Sequence, residues 1–350
     1  MYVDDPLLCM VGSASECVAA SDVVISWWLV LGLPLSWSKG TMCNKTHRWI
    51  GADFSTRTVQ GHPAGVVSVP PSFASELFDL LSPLSKGTGH VSESFLDRVL
   101  GKAGRLAYLV PAARPYVHSL WGALAGSKAA QAKGHKEAPP HRFAARRFAA
   151  AAKWLQVLLR PPADQAEHIV PLEQIVLETL PPIELGGPTV HVDASLWGAG
   201  GVLYLENVPA EFWSVSWSSD LASLLQTSVG DPSAQTTWEY LAVLICLLIW
   251  GKRFSQQGLA VLGDNLASLT GTLNLKGRKS LNAISRELSW RQVRQSWRFA
   301  AGHLPTEHNH AADALSRLSA PETSERKAFP AELRDCREIA CPDLLAIWTV

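Results

Sequence analysis

The chain has 350 residues, 47% hydrophobic and 18% charged, a balance that fits folded domains and excludes wholesale disorder. Its 31 basic and 31 acidic side chains cancel, which argues against a generally basic, polyanion-coating protein and leaves any nucleic-acid grip to a local patch. The length allows two or more domains, each with its own core.

The amino terminus, MYVDDPLL, sets two adjacent aspartates, Asp4 and Asp5, within five residues of Met1. It carries acids where a secretory leader carries a basic n-region. The apolar runs Val23–Trp37 and Leu241–Trp250 fall short of the ~20 residues that span a bilayer, and Gly32 and Pro34 interrupt the first. Six cysteines form no CxxC pair and no regular framework, which reads as reduced thiols in an intracellular protein. The expectation is a soluble chain, neither secreted nor membrane-bound.

Residues 1–60 read as short strands and turns with a helix-like run near Ser13–Val30. Residues 61–126 read as mostly helical, because FASELFDLLSPL and SFLDRVLGKAGRLAYLV repeat apolar residues at three and four. SKAAQAKGHKEAPPH (Ser127–His141) reads as a linker, and FAARRFAAAAKWLQVLLR as an Ala-rich helix halted by Pro161-Pro162. This linker-and-helix region runs to 188, through the Pro-rich PPIELGGP. From Thr189 the pattern turns to strands: TVHVDAS, GAGGVLYL and EFWSVSWS, with Trp213, Val215 and Trp217 on one strand face. A long helix (TTWEYLAVLICLLIWGKRF), a strand (GLAVLGDN), two helical stretches, a strand (SWRFAAGHL) and a short helix (AADALSRL) complete the order. Over 189–318 this predicts an α/β (α+β) fold, a mixed sheet of about five strands with flanking helices. The tail, 319–350, shows no clear pattern.

Four acids fall at strand ends and helix starts of that half: Asp193 within HVDAS, Glu239 opening the long helix, Asp264 closing AVLGD, and Asp313 in the first turn of the last helix. Singly, each has a structural reading: Asp264-Asn265 a turn, Asp313 a first-turn acid favoured by the helix dipole, Glu239 a solvated helix start. Converging in one cleft, they would repel one another unless hard divalent cations lay between them. Mg²⁺ takes oxygen ligands and retains waters, and two such ions about 4 Å apart activate water and stabilise the leaving oxygen of a phosphodiester. The chemistry predicted is metal-assisted cleavage of nucleic acid.

These stretches resemble ribonuclease H. HVDASLWGAGGVLY is similar to that family's first hairpin with its metal-binding Asp193, WEYLAVL to the helix supplying Glu239, VLGDN to the strand supplying Asp264, and HNHAADALSRL to the closing motif supplying Asp313. His303, ten residues before Asp313, and Asn309, four before it, match the family's His loop and its Asn–Asp pair. The likeness covers about 189–318. It implies two ions of Mg²⁺ or Mn²⁺, no small-molecule cofactor, and hydrolysis of the RNA strand of an RNA–DNA hybrid to 5′-phosphate and 3′-hydroxyl ends. His303 would assist proton transfer or product release. His191, on the same strand face as Asp193, and His308 and His310 read as supporting or plain loop residues; without a cysteine beside them a zinc site is disfavoured.

Between Asn274 and Arg298 lie Lys276, Arg278, Lys279, Arg286, Arg291, Arg294 and Arg298 against Glu287 alone, with Trp290 and Trp297 interleaved. If the helix continues, Arg291, Arg294 and Arg298 share one face that neutralises phosphates, while a Trp packs or stacks on a sugar or base. A solvated basic face with core tryptophans is the alternative.

Tyr2-Val3-Asp4-Asp5 resembles the YxDD turn of reverse transcriptases. LGLPLSWSKG, with Lys39, is similar to the palm motif that follows, where a lysine approaches the incoming triphosphate. HRWIGADFS resembles the hairpin near the primer end, and 61–126 a thumb-like region. Joined to the nuclease half, this is the layout of retrotransposon Pol, gypsy-like or DIRS-like. The likeness implies a truncated palm, in which Asp4 and Asp5 are half a site and polymerase activity is absent, because an earlier metal-binding Asp and the fingers are missing. Two alternatives stand beside it: a catalytically idle remnant that binds nucleic acid, and a host-type ribonuclease H fused to an unrelated helical domain. YVDD, Lys39 and WIGADFS weigh against the latter. Cytoplasm or nucleus is the expected compartment, and oligomeric state is open.

Overall fold

The computed structural model describes residues 8, 10, 12–33, 46–49, 51–59, 62–135, 139–160, 173–178, 187–255, 257–277, 280–295, 297–321 and 326–348. Asp4, Asp5, Lys39, Arg278 and Lys279 lie outside them. The chain divides into two compact units, 1–74 with 171–180, and 75–170 with 181–350.

In the first unit, α1 (Ala14–Val30) starts at a capping box: the Ser13 hydroxyl accepts from the Glu16 N–H, and the Glu16 carboxylate accepts from the Ser13 N–H at 2.8 Å. The helix buries none of its residues and exposes Val23, Trp27 and Val30. Strands β1 (Thr46–Trp49), β2 (Ala52–Val59) and β3 (His62–Ser68) then form an antiparallel meander. Trp49 stands opposite Ala52, so HRWIGADFS is a hairpin as expected, and Arg48 pairs with Asp53 at 2.7 Å.

The helical block begins at α2 (Pro71–Ser85), after β3 rather than at 61, and continues through α3 (Glu93–Leu109), α4 (Arg114–Ala132) and α5 (Ala149–Leu159). Each buries an apolar stripe at helical spacing, such as Leu77, Leu81 and Leu84 on α2 and Leu96, Val99, Ala103 and Leu106 on α3. A short ribbon of β4 (His90–Ser92) and β5 (Arg142–Ala144) joins them. Three differences from expectation concern the linker region. The helix expected over 143–160 forms only as Ala149–Leu159, its first residues going to β5 and a 3-10 turn. The Ala-rich 127–132 is the end of α4, in keeping with its helix-forming residues. The strand β6 (Glu173–Glu178) pairs antiparallel with β3, completing a four-stranded sheet in the order β1-β2-β3-β6.

The second sheet belongs to the carboxyl-terminal half. Strands β7 (Thr189–Ala194), β8 (Gly198–Leu205) and β9 (Val208–Ser216) are consecutive hairpin partners. After α6 (Ser219–Leu224) and α7 (Gln235–Cys246) comes β10 (Leu259–Gly263), parallel to β7. Then follow α8 (Leu266–Asn274), α9 (Ser280–Gln295), β11 (Phe299–His303) parallel to β10, and α10 (His310–Ser316). The class is mixed α/β, as predicted, but the sheet has six strands rather than five, in the order β11-β10-β7-β8-β9-β12. The sixth, β12 (Arg337–Glu338), comes from the tail and runs parallel to Glu211 and Phe212 of β9. Leu333, Leu344 and Ile347 are buried with it, so the tail completes the domain.

Helix α7 is the core helix, with every residue from Thr237 to Cys246 buried. With its flanking turns it spans Pro232–Gly251, long and apolar enough by length and composition to cross a membrane, yet 78% of its apolar window is buried inside this protein. Helix α9 packs on the helical block of the same unit: the Tyr116 hydroxyl donates to the Arg286 carbonyl oxygen at 3.1 Å, Asn282 Nδ2 donates to Ser119 Oγ at 2.9 Å, and Ser289 Oγ donates to the Ala112 carbonyl oxygen at 2.6 Å.

Candidate metal centre

Three of the four acids meet. The register pairs Asp193 with Gly200 near the end of β7, Glu239 lies in the first turns of α7, and Asp264 directly follows β10. One carboxylate oxygen from each lies within 4.8 Å of the others. The local sequence explains the convergence. Asp264 directly follows a strand parallel to β7, and Asn265 immediately caps α8 by accepting the Ser268 N–H at 3.0 Å, so the chain turns away and leaves Asp264 at the carboxyl end of the strand.

Neighbouring side chains fix these carboxylates. Gln235, one helical turn before Glu239, donates to Glu239 Oε1 at 2.9 Å and to the Ala194 carbonyl oxygen at 2.6 Å. The Ser316 hydroxyl donates to Asp193 Oδ2 at 2.6 Å, and Thr306 Oγ1 donates to Asp264 Oδ2 at 3.0 Å. Burial pushes the Asp193 carboxyl up to about 7, with the charges of Asp313 and Asp264 adding to it against the Ser316 hydrogen bond. Burial likewise raises Glu239 well above the usual carboxylate range, with Asp193 and Asp264 adding repulsion. A compact set of hard oxygen donors that resist ionising together could hold a metal ion.

Asp313, the fourth expected ligand, is otherwise engaged. It lies in α10, where Arg317 Nε donates to Oδ1 at 2.7 Å and Lys327 Nζ to Oδ2. Burial works to raise this carboxyl, but the two cations outweigh it and hold it below the usual range. His303 is the exposed last residue of β11 rather than a loop residue, in register with Gly263 and so one position from Asp264 along the neighbouring strand. His191 packs against Tyr204 with ring centroids 4.3 Å apart, and burial, helped by His310, lowers it to about 4. His310 pairs with Glu332 at 2.9 Å, and His308 is exposed.

The basic segment is only partly the face expected. Helix α9 ends at Gln295, so Arg298 is not on it and cannot share a helical face with Arg291 and Arg294. Lys276 and Arg294 are exposed, whereas Arg291 is paired with Glu287 at 2.9 Å. Trp297 is a core residue against Gly251. Trp290 meets Trp154 edge-on with centroids 4.6 Å apart and carries the Arg294 guanidinium at 5.6 Å, so it packs between protein groups.

Sequence reasoning missed Gln235, Thr306, Ser316, Arg317 and Lys327. Gln235 and Ser316 have a weak signal in their helical spacing from Glu239 and Asp313; Lys327 has none. No protein-family model matches the sequence, and no curated protein matches it.

Proposed function

We propose that this chain is a metal-dependent nuclease of ribonuclease H type from a retroelement Pol, hydrolysing the RNA strand of RNA–DNA hybrids. The observation that carries the reading is the cluster of the buried Asp193 and Glu239 with the half-buried Asp264. These carboxylates would hold Mg²⁺ or Mn²⁺, and a cation bound there supplies Lewis acidity towards water and phosphate oxygens. Gln235, Thr306 and Ser316 hold the three carboxylates in single orientations, which spares reorganisation when substrate arrives. His303, exposed at the neighbouring strand end, would take up or release a proton at the rim. Lys276 and Arg294, with Arg298 beyond the helix, supply positive charge for phosphates, while Trp290 supports the helix rather than stacking on a base. Asp4, Asp5 and Lys39 enter this reading through sequence resemblance alone.

The deciding experiment is hydrolysis of an end-labelled RNA–DNA hybrid in Mg²⁺ or Mn²⁺ by the wild-type chain and by Asp264→Asn, with single-stranded RNA and duplex DNA as controls. RNA-strand cleavage that the substitution abolishes is the expected result; equal activity of the two proteins would end the reading. The engagement of Asp313 by Arg317 and Lys327 favours a second reading, a silent remnant that binds duplexes, for which the same assay gives hybrid retention without cleavage.

A further inference from the structure

We infer that Lys327 is a built-in cation of the metal centre, standing at Asp313 in place of a second divalent ion. This rests on the nuclease reading above and changes its ion count: the family likeness implies two ions, whereas the arrangement of charges points to one ion and one tethered ammonium.

Three observations carry it. Both oxygens of Asp313 are occupied, Oδ1 by Arg317 and Oδ2 by Lys327, and Asp313 is absent from the set of carboxylates whose oxygens lie within 4.8 Å of one another. The local charge then closes on a single ion: four carboxylates against the cations of Arg317 and Lys327 leave two negative charges, the complement of one divalent cation. A second such ion on Asp313 would sit beside an ammonium and a guanidinium with no further anion to offset it. Finally, the lysine is delivered by anchored structure. Two residues on, Phe329 packs edge-on against Phe212 with centroids 5.4 Å apart; Leu333 is buried; and β12 pairs with β9. A lysine suits the role because its ammonium is a compact point charge, where arginine presents a broad planar fork. The Lys327 side chain is half exposed and Asp313 is 8% exposed, so the lysine can be replaced without disturbing the core beneath.

The test is a Mn²⁺ titration of the full chain without substrate, counting bound ions by electron paramagnetic resonance of the free metal. Wild type, Lys327→Gln, Lys327→Met and Asp264→Asn are compared, each checked for folding by circular dichroism. One ion per chain in the wild type and two in both lysine variants is the expected result. Two ions in the wild type, or one in both folded lysine variants, would overturn the inference while leaving the nuclease reading intact. Asp264→Asn tests that reading separately. It should weaken the wild-type ion by more than about tenfold, and unchanged affinity there, or no bound ion in the wild type, removes the metal centre and the Lys327 inference together.

Discussion

The Asn309 side-chain amide donates to the Val192 carbonyl oxygen at 3.0 Å, tying the start of α10 to the strand that carries Asp193. The pairing of β7 with β10 ends at His191 opposite Leu262, so the next carbonyl would be orphaned without this bond. Asn309 is 1% exposed, and no water can replace it there without a rearrangement. Asn309→Ala should destabilise the chain by about 1–3 kcal/mol. Asn309→Asp should cost more, because a carboxylate oxygen then faces a carbonyl oxygen. Urea unfolding of the three proteins checks both the size and the order; an aspartate variant as stable as wild type would refute the assignment.

Gly200 stands opposite Asp193 across the first hairpin of the second sheet, and α10 crosses directly over it. A Cβ built there would lie 2.2 Å from Leu315 Cβ and 3.2 Å from the Ala312 carbonyl oxygen. Both contacts are with short, stiff parts of the helix, so the helix itself must shift. Gly200→Ala should therefore destabilise by about 1–3 kcal/mol, read as a fall in Tm, although alanine favours a strand no less than glycine. Because α10 carries Asp313 and Ser316, hybrid cleavage should fall with it. A neutral Gly200→Ala would mean that the helix sits farther from the sheet.

The β8–β9 turn holds Glu206 and Asn207 both at positive φ, 53° and 65°, between the paired residues Leu205 and Val208. That is the two-residue hairpin geometry in which Asn-Gly is favoured and a glutamate is not. Glu206→Asn should stabilise by about 0.5–1 kcal/mol. Differential scanning calorimetry should show a raised Tm with an unchanged metal response, since the turn lies at the strand ends away from Asp193. A lower Tm would place the turn in another conformation.

How much of this was legible beforehand depended on the range over which each interaction acts. The order of strands and helices from Thr189 onwards could be read because each element carries its own period, and Asp193, Glu239 and Asp264 could be placed because each lies within a few residues of an element's end. The two-residue β12 has no period to detect, and its partner strand lies more than a hundred residues earlier. For the same reason β6, paired to β3 from within Pro-rich sequence, read as linker. Trp290 looked like a free aromatic among arginines because its neighbour, Trp154, belongs to the helical block. Lys327 was invisible for a different reason: nothing in a lysine fourteen residues after Asp313 says that the intervening chain returns it to that carboxylate.

In the ion-free chain, the Asp193 carboxyl is held at about 7, chiefly by burial, against an ordinary value of 3.8, and Glu239 is raised in the same direction. A carboxyl raised on folding favours the folded state while it is protonated, so this contribution is full below the ordinary carboxylate range and is lost as pH rises towards 7 and above. Asp313 acts oppositely, but its contribution is lost only as pH falls below 3.8, outside that window. His191, lowered to about 4 by burial, opposes the carboxyls inside the window, so the decline between about pH 4 and pH 7 is read as the ion-free stability of the wild type relative to that of Asp193→Asn. Mg²⁺ competes with protons for the same oxygens, so at pH 5 it should move Tm little. At pH 8 and saturating metal it should raise Tm by about 5 °C or more. Thermal unfolding in EDTA and in Mg²⁺ at the two pH values makes the comparison, with Asp264→Asn expected to show no metal response at either. Equal Mg²⁺ shifts at pH 5 and pH 8 would mean that the ion binds somewhere other than these three carboxylates.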